Sequence, residues 1–288
     1  MLTAYLLLQG ALLVSFQAGS AQGWMARTAV VPNRIQFVQR AATSTAFWQD
    51  ESTILQNIDA DFAERQWYLP SIVERALIHG DISVDPHQLL QALDMSTTTR
   101  NHAIEALEAS DANVMNAPAI LTREECHILQ DYLLANVEQE LGRDNVDQCA
   151  DWQVNITEDD LAALIGQAAM DRLYQVPSLL DNESRQSTTD TTTSFERVGI
   201  FVRVYERSLH GRPWMPFHSD GNSFTVNVAL NDDTDYQGGT LLALTGGKLC
   251  AIHRQQGDAT CHKGSVYHAV SAMTSGRRYS MILFFHEK

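Results

Sequence analysis

The chain has 288 residues, a hydrophobic content of 44% and a formal net charge of −15 at pH 7. This length accommodates one large domain, or a catalytic domain with a smaller one, and the hydrophobic content is ordinary for a globular protein with a real core. The acidic balance argues against nucleic acid as a partner, because a negatively charged surface repels phosphate backbones.

The four cysteines, Cys126, Cys149, Cys250 and Cys261, include no C-x-x-C pair. The sequence therefore does not indicate a zinc site built from thiolates. An even number of cysteines permits disulfides in an oxidising compartment, and buried free thiols explain the same residues equally well. Both alternatives stay open at the level of the sequence.

Residues 1–22 resemble a signal or targeting segment. The stretch from Leu2 to Phe16 is mostly apolar, and small residues follow it from Ala18 to Ala21, as signal-peptidase cleavage requires. The apolar run is too short for a stable membrane span, so none is expected. Its amino-terminal part lacks Lys and Arg, which leaves a buried N-terminal helix as the alternative.

The following segment, residues 23–49, is basic. It contains Arg27, Arg34 and Arg40, and the first acidic residue of the chain is Asp50. This composition fits an organelle transit segment, or a linker that follows a secretory signal. We therefore expect the secretory pathway, with the endoplasmic reticulum lumen or secretion as the destination; the alternative is a plastid, reached through a bipartite targeting sequence.

Residues 50–115 are predicted to form a helical N-terminal region. Apolar residues recur there at helical spacing, beginning with Ile54, Ile58 and Phe62. The region contains no cluster of catalytic side chains. It is expected to be a packing layer or a small helical domain.

The predicted catalytic domain, residues 116–288, begins with two amphipathic helices. Thr122 and Glu125 form a capping box for the first helix, which is expected to end near Gly142. Thr157 provides the start signal of the second helix. Such helices are expected to cover one face of a sheet.

Residues 181–194 are rich in Ser, Thr and Asp and are predicted to form a surface loop. After this loop the pattern changes to strands. Apolar and other residues alternate from Val198 to Tyr205 and from Phe224 to Leu230, and shorter runs follow. Many short strands separated by turn residues predict a sandwich or a barrel.

Two histidines and one carboxylate in this part of the chain are the residue types of a non-haem iron site. His218 and Asp220 stand at i and i+2 of a predicted strand, so both side chains leave the same face. His268 lies in a later strand-like run that strand pairing can bring back to them. Two imidazoles and one carboxylate form a facial triad, which leaves positions on Fe(II) for a co-substrate and O2. His262 and His253 are the alternatives to His268 as the third metal ligand.

Arg278 and Ser280 share one face of the last predicted strand, whereas Tyr279 and Met281 belong to its apolar face. An arginine that points into a barrel requires an anion. A dicarboxylate satisfies this requirement if its distal carboxylate meets Arg278 and Ser280 while its other end chelates the metal. Arg277 has the opposite parity, so only one of the two arginines can point inward.

The order of these motifs resembles the 2-oxoglutarate/Fe(II)-dependent dioxygenases, and within them the catalytic domain of the prolyl 4-hydroxylase α subunit. The resemblance covers about residues 117–286. The matching pieces in chain order are Ile-Leu-Thr-Arg-Glu-Glu-Cys126, Val-Arg-Val-Tyr205, Phe-His218-Ser-Asp220, Val-Ala-Leu-Asn231, Tyr-Gln-Gly-Gly-Thr-Leu241, His268 and Arg278-Tyr-Ser280.

The resemblance implies an α+β fold, a double-stranded β-helix (jelly roll) flanked by helices, with an N-terminal helical segment. It implies Fe(II) as the metal, with His218, Asp220 and His268 as the ligands. The family's spacing of ten residues between the distal histidine and the arginine favours His268 over its rivals and Arg278 over Arg277.

For the co-substrate, the resemblance implies 2-oxoglutarate held by Arg278, with Ser280 and Tyr205 as further contacts. The family often places an aromatic contact near Ala229, and this contact is absent here. The distal carboxylate is therefore expected to rely on Arg278 and Ser280. L-ascorbate is the expected reductant of the iron.

The activity that the resemblance implies is hydroxylation of a substrate carbon, with decarboxylation of 2-oxoglutarate to succinate and CO2. A protein or peptide substrate is expected, with peptidyl proline as the first choice and O2 as the second co-substrate. The alternatives are a same-fold enzyme acting on lysine or a small molecule, and a catalytically inactive jelly-roll binding module. The nucleic-acid demethylases of the superfamily usually carry a second arginine where this chain has Phe284, which again argues against nucleic acid.

Overall fold

The computed structural model describes residues 69–109, 113–137, 142–143, 150–184, 194–206 and 213–288. All described residues belong to one compact unit, which lies within Glu51–Lys288. The predicted targeting segments, residues 1–22 and 23–49, lie outside the described residues, and so does Cys149.

Six helices occur in the described part of the chain, and most of them begin at a capping side chain. The Thr122 hydroxyl accepts a hydrogen bond from the Glu125 backbone N–H, and the Glu125 carboxylate accepts one from the Thr122 N–H, which confirms the predicted capping box. The helices are α1 Ser71–Leu77, α2 Pro86–Ala92, α3 Thr97–Glu108, α4 Arg123–Asn136, α5 Glu158–Ile165 and α6 Gln167–Ser184.

The strands of the described residues occupy mainly the last third of the chain, as their alternating pattern predicts. They are β1 Val114–Ala117, β2 Gly142–Arg143, β3 Ala150–Asp151, β4 Gln153–Asn155, β5 Phe195–Glu206, β6 Met215–His218, β7 Phe224–Ala229, β8 Gln237–Gly238, β9 Leu241–Thr245, β10 Lys248–Ile252, β11 Ala259–Lys263, β12 His268–Val270, β13 Met273–Ser275 and β14 Arg277–Glu287.

Two antiparallel sheets form the body of the fold. The major sheet has the strand order β1-β11-β7-β14-β5-β4, and the minor sheet has the order β10-β9-β12-β6. Strands that are distant in sequence are neighbours in both sheets, and two inner faces enclose a barrel-like interior. This architecture is the double-stranded β-helix flanked by helices, so the predicted fold class is confirmed.

The outer face of the major sheet packs against α4, α5 and α6 in one hydrophobic core. Alternation along the strands supplies the sheet side of this core, for example with Val202 of β5, Val226 of β7 and Met281 of β14. The helices contribute stripes of leucines, including Leu129 and Leu173. Each fully buried leucine stabilises the fold by about 1.5–3 kcal/mol relative to an exposed one.

The outer face of the minor sheet packs against α1, α2 and α3. Leu77, Leu90 and Leu107 from these helices share a core with Leu242 of β9 and Ala269 of β12. This part of the predicted helical region is thus a packing layer on the sheet. It supports the strand β12, whose opposite face carries His268.

Two predicted boundaries differ from the structure. Helix α4 ends at Asn136, before the expected Gly142, and helix α6 continues to Ser184 into the stretch predicted as a loop. In α6 the apolar residues Val176 and Leu180 are fully buried against the major sheet, and this tertiary packing extends the helix beyond what its polar end suggests. The rest of the predicted loop lies outside the described residues.

The described cysteines Cys126 and Cys261 are buried free thiols. Among the described helices, none combines the length and the apolar composition that a membrane crossing requires.

Candidate metal centre

His218 and His268 face each other because their strands are paired. The strands β6 and β12 are antiparallel neighbours, and His268 lies directly opposite His218 in their register. The centroids of the two imidazole rings are 4.3 Å apart. A pairing between residues fifty positions apart in sequence thus brings two nitrogen ligands to one point.

Asp220 reaches the same point from a loop. The prediction that Asp220 lies on a strand with His218 is wrong, since β6 ends at His218. After His218 the chain leaves the minor sheet, and the Asp220 backbone N–H donates to the Gly264 carbonyl at 2.9 Å. The carboxylate lies 3.6 Å from the His218 Nε2 atom and 3.8 Å from the His268 Nε2 atom.

The three ligand atoms fit a metal ion in spacing and in chemistry. One atom each from His218, Asp220 and His268 lie within 4.8 Å of one another. Two imidazole nitrogens and one carboxylate oxygen are the donor set that non-haem Fe(II) takes in a facial triad. The described residues therefore contain a candidate metal centre at the position that the motif predicts.

Backbone carbonyls fix the tautomers of both histidines. The Nδ1 atom of His218 lies 2.8 Å from the Pro216 carbonyl oxygen, and that of His268 lies 3.1 Å from the Val266 carbonyl oxygen. Because a carbonyl can only accept, each Nδ1 carries the proton and donates it. The lone pair is then on Nε2, which is the atom turned toward Asp220 in both residues, as metal ligation requires.

Electrostatics keep the triad in its metal-binding protonation state. Burial by itself raises the pKa of Asp220, but the neighbouring imidazoles, His268 first, and the Thr225 hydroxyl lower it below its usual value. Burial, and next the neighbouring His218, lower the pKa of His268 to about 4. At neutral pH the site therefore offers a carboxylate next to a neutral His268 imidazole.

His262 is a third imidazole beside the triad. It lies on β11 directly opposite Thr225, its ring centroid is 4.3 Å from that of His268, and its Nε2 atom is 3.9 Å from an Asp220 oxygen. Its ligand atom is not part of the converging set. The other rival, His253, has a side chain that is 78% exposed and lies near Asp233, away from the triad.

Arg278 and Ser280 project into the interior of the barrel from β14. Arg278 is 1% exposed, and none of its guanidinium nitrogens has a hydrogen-bond partner among the described residues; the same holds for the Ser280 hydroxyl. Arg277 points outward and pairs with Glu206, so the predicted parity of the two arginines is confirmed. Burying a cation that has no hydrogen-bond partner is costly. The surroundings of Arg278 therefore suit an anionic ligand.

Tyr205 lies beside Arg278 because the two residues are directly opposite in the pairing of β5 with β14. The guanidinium carbon of Arg278 is 5.1 Å from the centroid of the Tyr205 ring. The Tyr205 hydroxyl accepts a hydrogen bond from Arg203 at 3.1 Å. Tyr205 therefore forms one wall of the space around Arg278.

The sequence places Thr225 on the polar strand face that follows the metal motif, either as a pocket-lining residue or as a buried, hydrogen-bonded strand residue, whereas it does not single out Arg254. Thr225 donates a short hydrogen bond to Asp220, and Arg254, which is 4% exposed, donates to the Asn227 side-chain oxygen at 2.8 Å. The polar alternation of β7 is a weak signal for Thr225. Arg254 carried no signal, since it lies among turn residues between β10 and β11, where a surface position is the ordinary expectation.

The fold and these side chains together define a class of protein. This class is a double-stranded β-helix that has a candidate His–Asp–His metal centre and, in the same barrel, a buried arginine whose guanidinium has no hydrogen-bond partner among the described residues. No family model matches the chain, and no curated protein matches it.

The solved structures that are similar to the chain include two prolyl hydroxylases and an epimerase. A Pseudomonas putida prolyl-4-hydroxylase is 16% identical, with 65% of this chain and 97% of that chain covered and a TM-score of 0.44. A Trichoplax adhaerens prolyl hydroxylase, in complex with a hypoxia-inducible factor peptide, is 15% identical, with 70% and 90% covered and a TM-score of 0.44. The non-haem α-ketoglutarate-dependent epimerase SnoN of nogalamycin biosynthesis is 15% identical, with 66% and 80% covered and a TM-score of 0.44. These structure neighbours are 2-oxoglutarate/Fe(II) oxygenases, the family that the sequence motifs resemble.

Proposed function

We propose that the protein is a 2-oxoglutarate- and Fe(II)-dependent dioxygenase that hydroxylates a carbon of its substrate. The observation that carries the proposal is one barrel that holds both halves of the required site. His218, Asp220 and His268 converge at one point, and the Arg278 guanidinium lies buried in the same interior with no hydrogen-bond partner among the described residues. A metal and a carboxylate-bearing co-substrate would satisfy both groups at once.

Each side chain has a defined part in this activity. His218, Asp220 and His268 hold the metal, and Thr225 orients the Asp220 carboxylate through its hydrogen bond. Arg278 binds the distal carboxylate of 2-oxoglutarate, and its burial excludes water that would compete for this carboxylate. When bound, Fe(II) supplies the activation of O2, which is coupled to the decarboxylation of 2-oxoglutarate and the hydroxylation of a substrate carbon.

The substrate that we propose is peptidyl proline. The support is the order and spacing of the motifs, which resemble the prolyl 4-hydroxylase branch. L-ascorbate would serve as the reductant that keeps the iron in its ferrous state. A peptide array scored by mass spectrometry tests the substrate: a gain of one oxygen on proline supports the proposal, whereas modification of lysine alone, or of no peptide at all, contradicts the proline assignment.

The co-substrate part has its own test, namely succinate formation from 2-oxoglutarate in the presence of Fe(II), O2 and ascorbate. Arg278→Ala is expected to abolish this turnover because it removes the partner of the distal carboxylate. The matched control is Arg277→Ala, which removes an exposed arginine of the same strand. Equal losses in both variants, or none in either, would contradict the role of Arg278.

We further propose that residues 1–22 direct the chain into the secretory pathway, on the strength of their apolar run and the small residues that follow it. A fluorescent protein fused to residues 1–49 tests this proposal in cells. Accumulation in the endoplasmic reticulum or the medium is the expected result. Plastid import would favour the bipartite alternative, and a diffuse cytosolic signal would contradict both.

A further inference from the structure

A second arginine is buried in the barrel near Arg278. Arg254 follows β10, and the described hydrogen bonds of its guanidinium go to the two neutral oxygens of Asn227, at 2.8 and 3.4 Å from Nη1. Its Nε atom is buried and has no hydrogen-bond partner among the described residues. Arg254 is therefore a buried cation whose guanidinium donates to neutral oxygens, while its backbone N–H donates to the Asp233 carboxylate.

The pairing of β7 with β14 places the Arg254 guanidinium on the inner face that carries Arg278. Asn227, which accepts from Arg254, is directly opposite Ile282, and Ala229 is directly opposite Ser280. Ser280 and Ile282 alternate with the outward residues of β14, so they share the inner face with Arg278.

Tyr236 lies near Arg278 and is linked to Arg254 through Asp233. A Cβ atom built on Gly239 would lie 3.3 Å from the Arg278 Cδ atom and 3.4 Å from the Tyr236 Cε2 atom, so both side chains border the space beside Gly239. The Tyr236 hydroxyl donates to one oxygen of Asp233, and the other oxygen accepts the Arg254 backbone N–H at 3.0 Å. Arg278 and Arg254 therefore border the same region of the interior.

The two guanidinium groups affect each other electrostatically. Burial, and next the nearby Arg278, lower the pKa of Arg254 to about 10. Arg254 is still charged at neutral pH, so its guanidinium and that of Arg278 repel each other, and the nearby Tyr236 and Asp233 offset part of this repulsion. Such an arrangement is stabilised when an anion binds between them or beside them.

We propose that Arg254 is a second anchor for the distal carboxylate of the dicarboxylate co-substrate and acts together with Arg278. This inference rests on the proposed function. The family's aromatic contact near Ala229 is absent from this chain, and the sequence led us to expect that Arg278 and Ser280 alone hold the carboxylate. The proposal adds Arg254 to these two residues. Two guanidinium groups at the tail end also select dicarboxylic 2-oxo acids over monocarboxylic ones.

The test compares two ligands that differ only at the tail. The Fe(II)-loaded protein is titrated without O2, following the metal-to-ligand charge-transfer band, with 2-oxoglutarate and with 2-oxopentanoate, which has a methyl group in place of the distal carboxylate. Arg254→Met is expected to raise the Kd for 2-oxoglutarate about 10- to 100-fold, the range for a lost hydrogen bond to a charged group, and to change the Kd for 2-oxopentanoate less than about threefold. Arg277→Met is the control and is expected to leave both Kd values unchanged.

The outcomes separate this inference from the proposed function. An unchanged Kd for 2-oxoglutarate in Arg254→Met, or an equal loss for both acids, overturns the anchoring role. Absence of the band in the unmodified protein would instead overturn the proposed function. Should Arg254→Met fail to fold, Arg254→Lys decides, since it keeps the charge and loses the two-pronged donor geometry. For Arg254→Lys, the Kd for 2-oxoglutarate is expected to rise and the Kd for 2-oxopentanoate to stay the same. An unchanged Kd for 2-oxoglutarate would contradict the proposal.

A second measurement needs neither metal nor turnover. Glutarate, which has both carboxylates and no keto group, is expected to raise the Tm of the metal-free protein, because it binds only the folded state. The increase is expected to be smaller in Arg254→Met. No increase in the unmodified protein, or the same increase in the variant, contradicts the two-arginine site.

Discussion

Asp220 is the carboxylate of the candidate metal centre, and the Thr225 hydroxyl donates a hydrogen bond to it. We predict that Thr225→Val lowers the affinity for Fe(II) by about 10- to 100-fold, the usual effect of losing a hydrogen bond to a metal-ligating group. The matched control is Thr260→Val. Thr260 is also buried, and its hydroxyl donates to the Asn116 side chain at 2.9 Å instead of to a ligand. Anaerobic titration with Fe(II) measures the metal affinity of both variants. Equal affinities of Thr225→Val and Thr260→Val would contradict the role of Thr225.

Arg278 is a residue whose removal should not destabilise the ligand-free protein. All three guanidinium nitrogens lack partners among the described residues, so we predict that Arg278→Met leaves the free energy of unfolding unchanged or raises it. Arg203→Met, in contrast, removes hydrogen bonds to Gln153 and Tyr205 and is expected to cost about 1–3 kcal/mol. Denaturant unfolding of the metal-free variants measures the difference. A large loss in Arg278→Met would show that its charge is already compensated without ligand.

The loop that carries Asp220 depends on a close approach of two backbones. A Cβ atom on Gly264 would lie 1.8 Å from the Asn222 carbonyl oxygen and 3.1 Å from that of Asp220. We predict that Gly264→Ala displaces this loop, weakens metal binding and costs about 1–3 kcal/mol of stability, as overpacking does. Gly221→Ala is the control next to Asp220, since a Cβ atom there meets nothing within 4 Å. Parent-like metal binding in Gly264→Ala would contradict this account of the loop.

The strands of the site were predictable, and the loop was not. Alternation with a period of two assigns Arg278 and Ser280 to the inner face, because a strand turns successive side chains to opposite sides. Asp220 is an exception, because it was predicted to lie on a strand and lies in a loop. Its backbone N–H donates to the Gly264 carbonyl, forty-four residues away in the chain. Arg254 escaped prediction for the same reason, since its burial depends on tertiary packing that no local pattern records.

At the scale of the whole molecule, burial of the imidazoles makes folding pH-dependent. Burial lowers the pKa of His262 and of His268 from 6.5 to about 4. Between these pH values the unfolded chain binds more protons than the folded one. We therefore predict that the free energy of unfolding of the metal-free protein is fully retained above about pH 6.5 and falls as the pH is lowered toward 4.

Two variants assign this pH dependence to buried histidine. His262→Gln is expected to reduce the slope of stability against pH, and His253→Gln, which changes an exposed histidine, is expected to leave it unchanged. Urea unfolding at a series of pH values gives the slopes. Parallel curves for His262→Gln and the unmodified protein would contradict the assignment.

The global architecture followed from the sequence because several independent patterns agreed. Helical periodicity before the strands and a capping box at Thr122 predict the helices, and many short alternating runs predict a sandwich or a barrel. The resemblance of the motif order to the dioxygenases implies the jelly roll. Where helices end was less predictable. Helix α6 continues to Ser184 because its apolar stripe packs on the major sheet, and packing across layers is absent from local composition.

The central claim is that His218, Asp220 and His268 bind Fe(II) in the same barrel in which Arg278 binds 2-oxoglutarate. The most direct test is the visible absorption spectrum of the protein under anaerobic conditions, first with Fe(II) and then with 2-oxoglutarate. We predict a metal-to-ligand charge-transfer band that forms only when both are present and is lost in His218→Ala. Absence of the band, or its persistence in His218→Ala, would contradict the assignment of the metal centre.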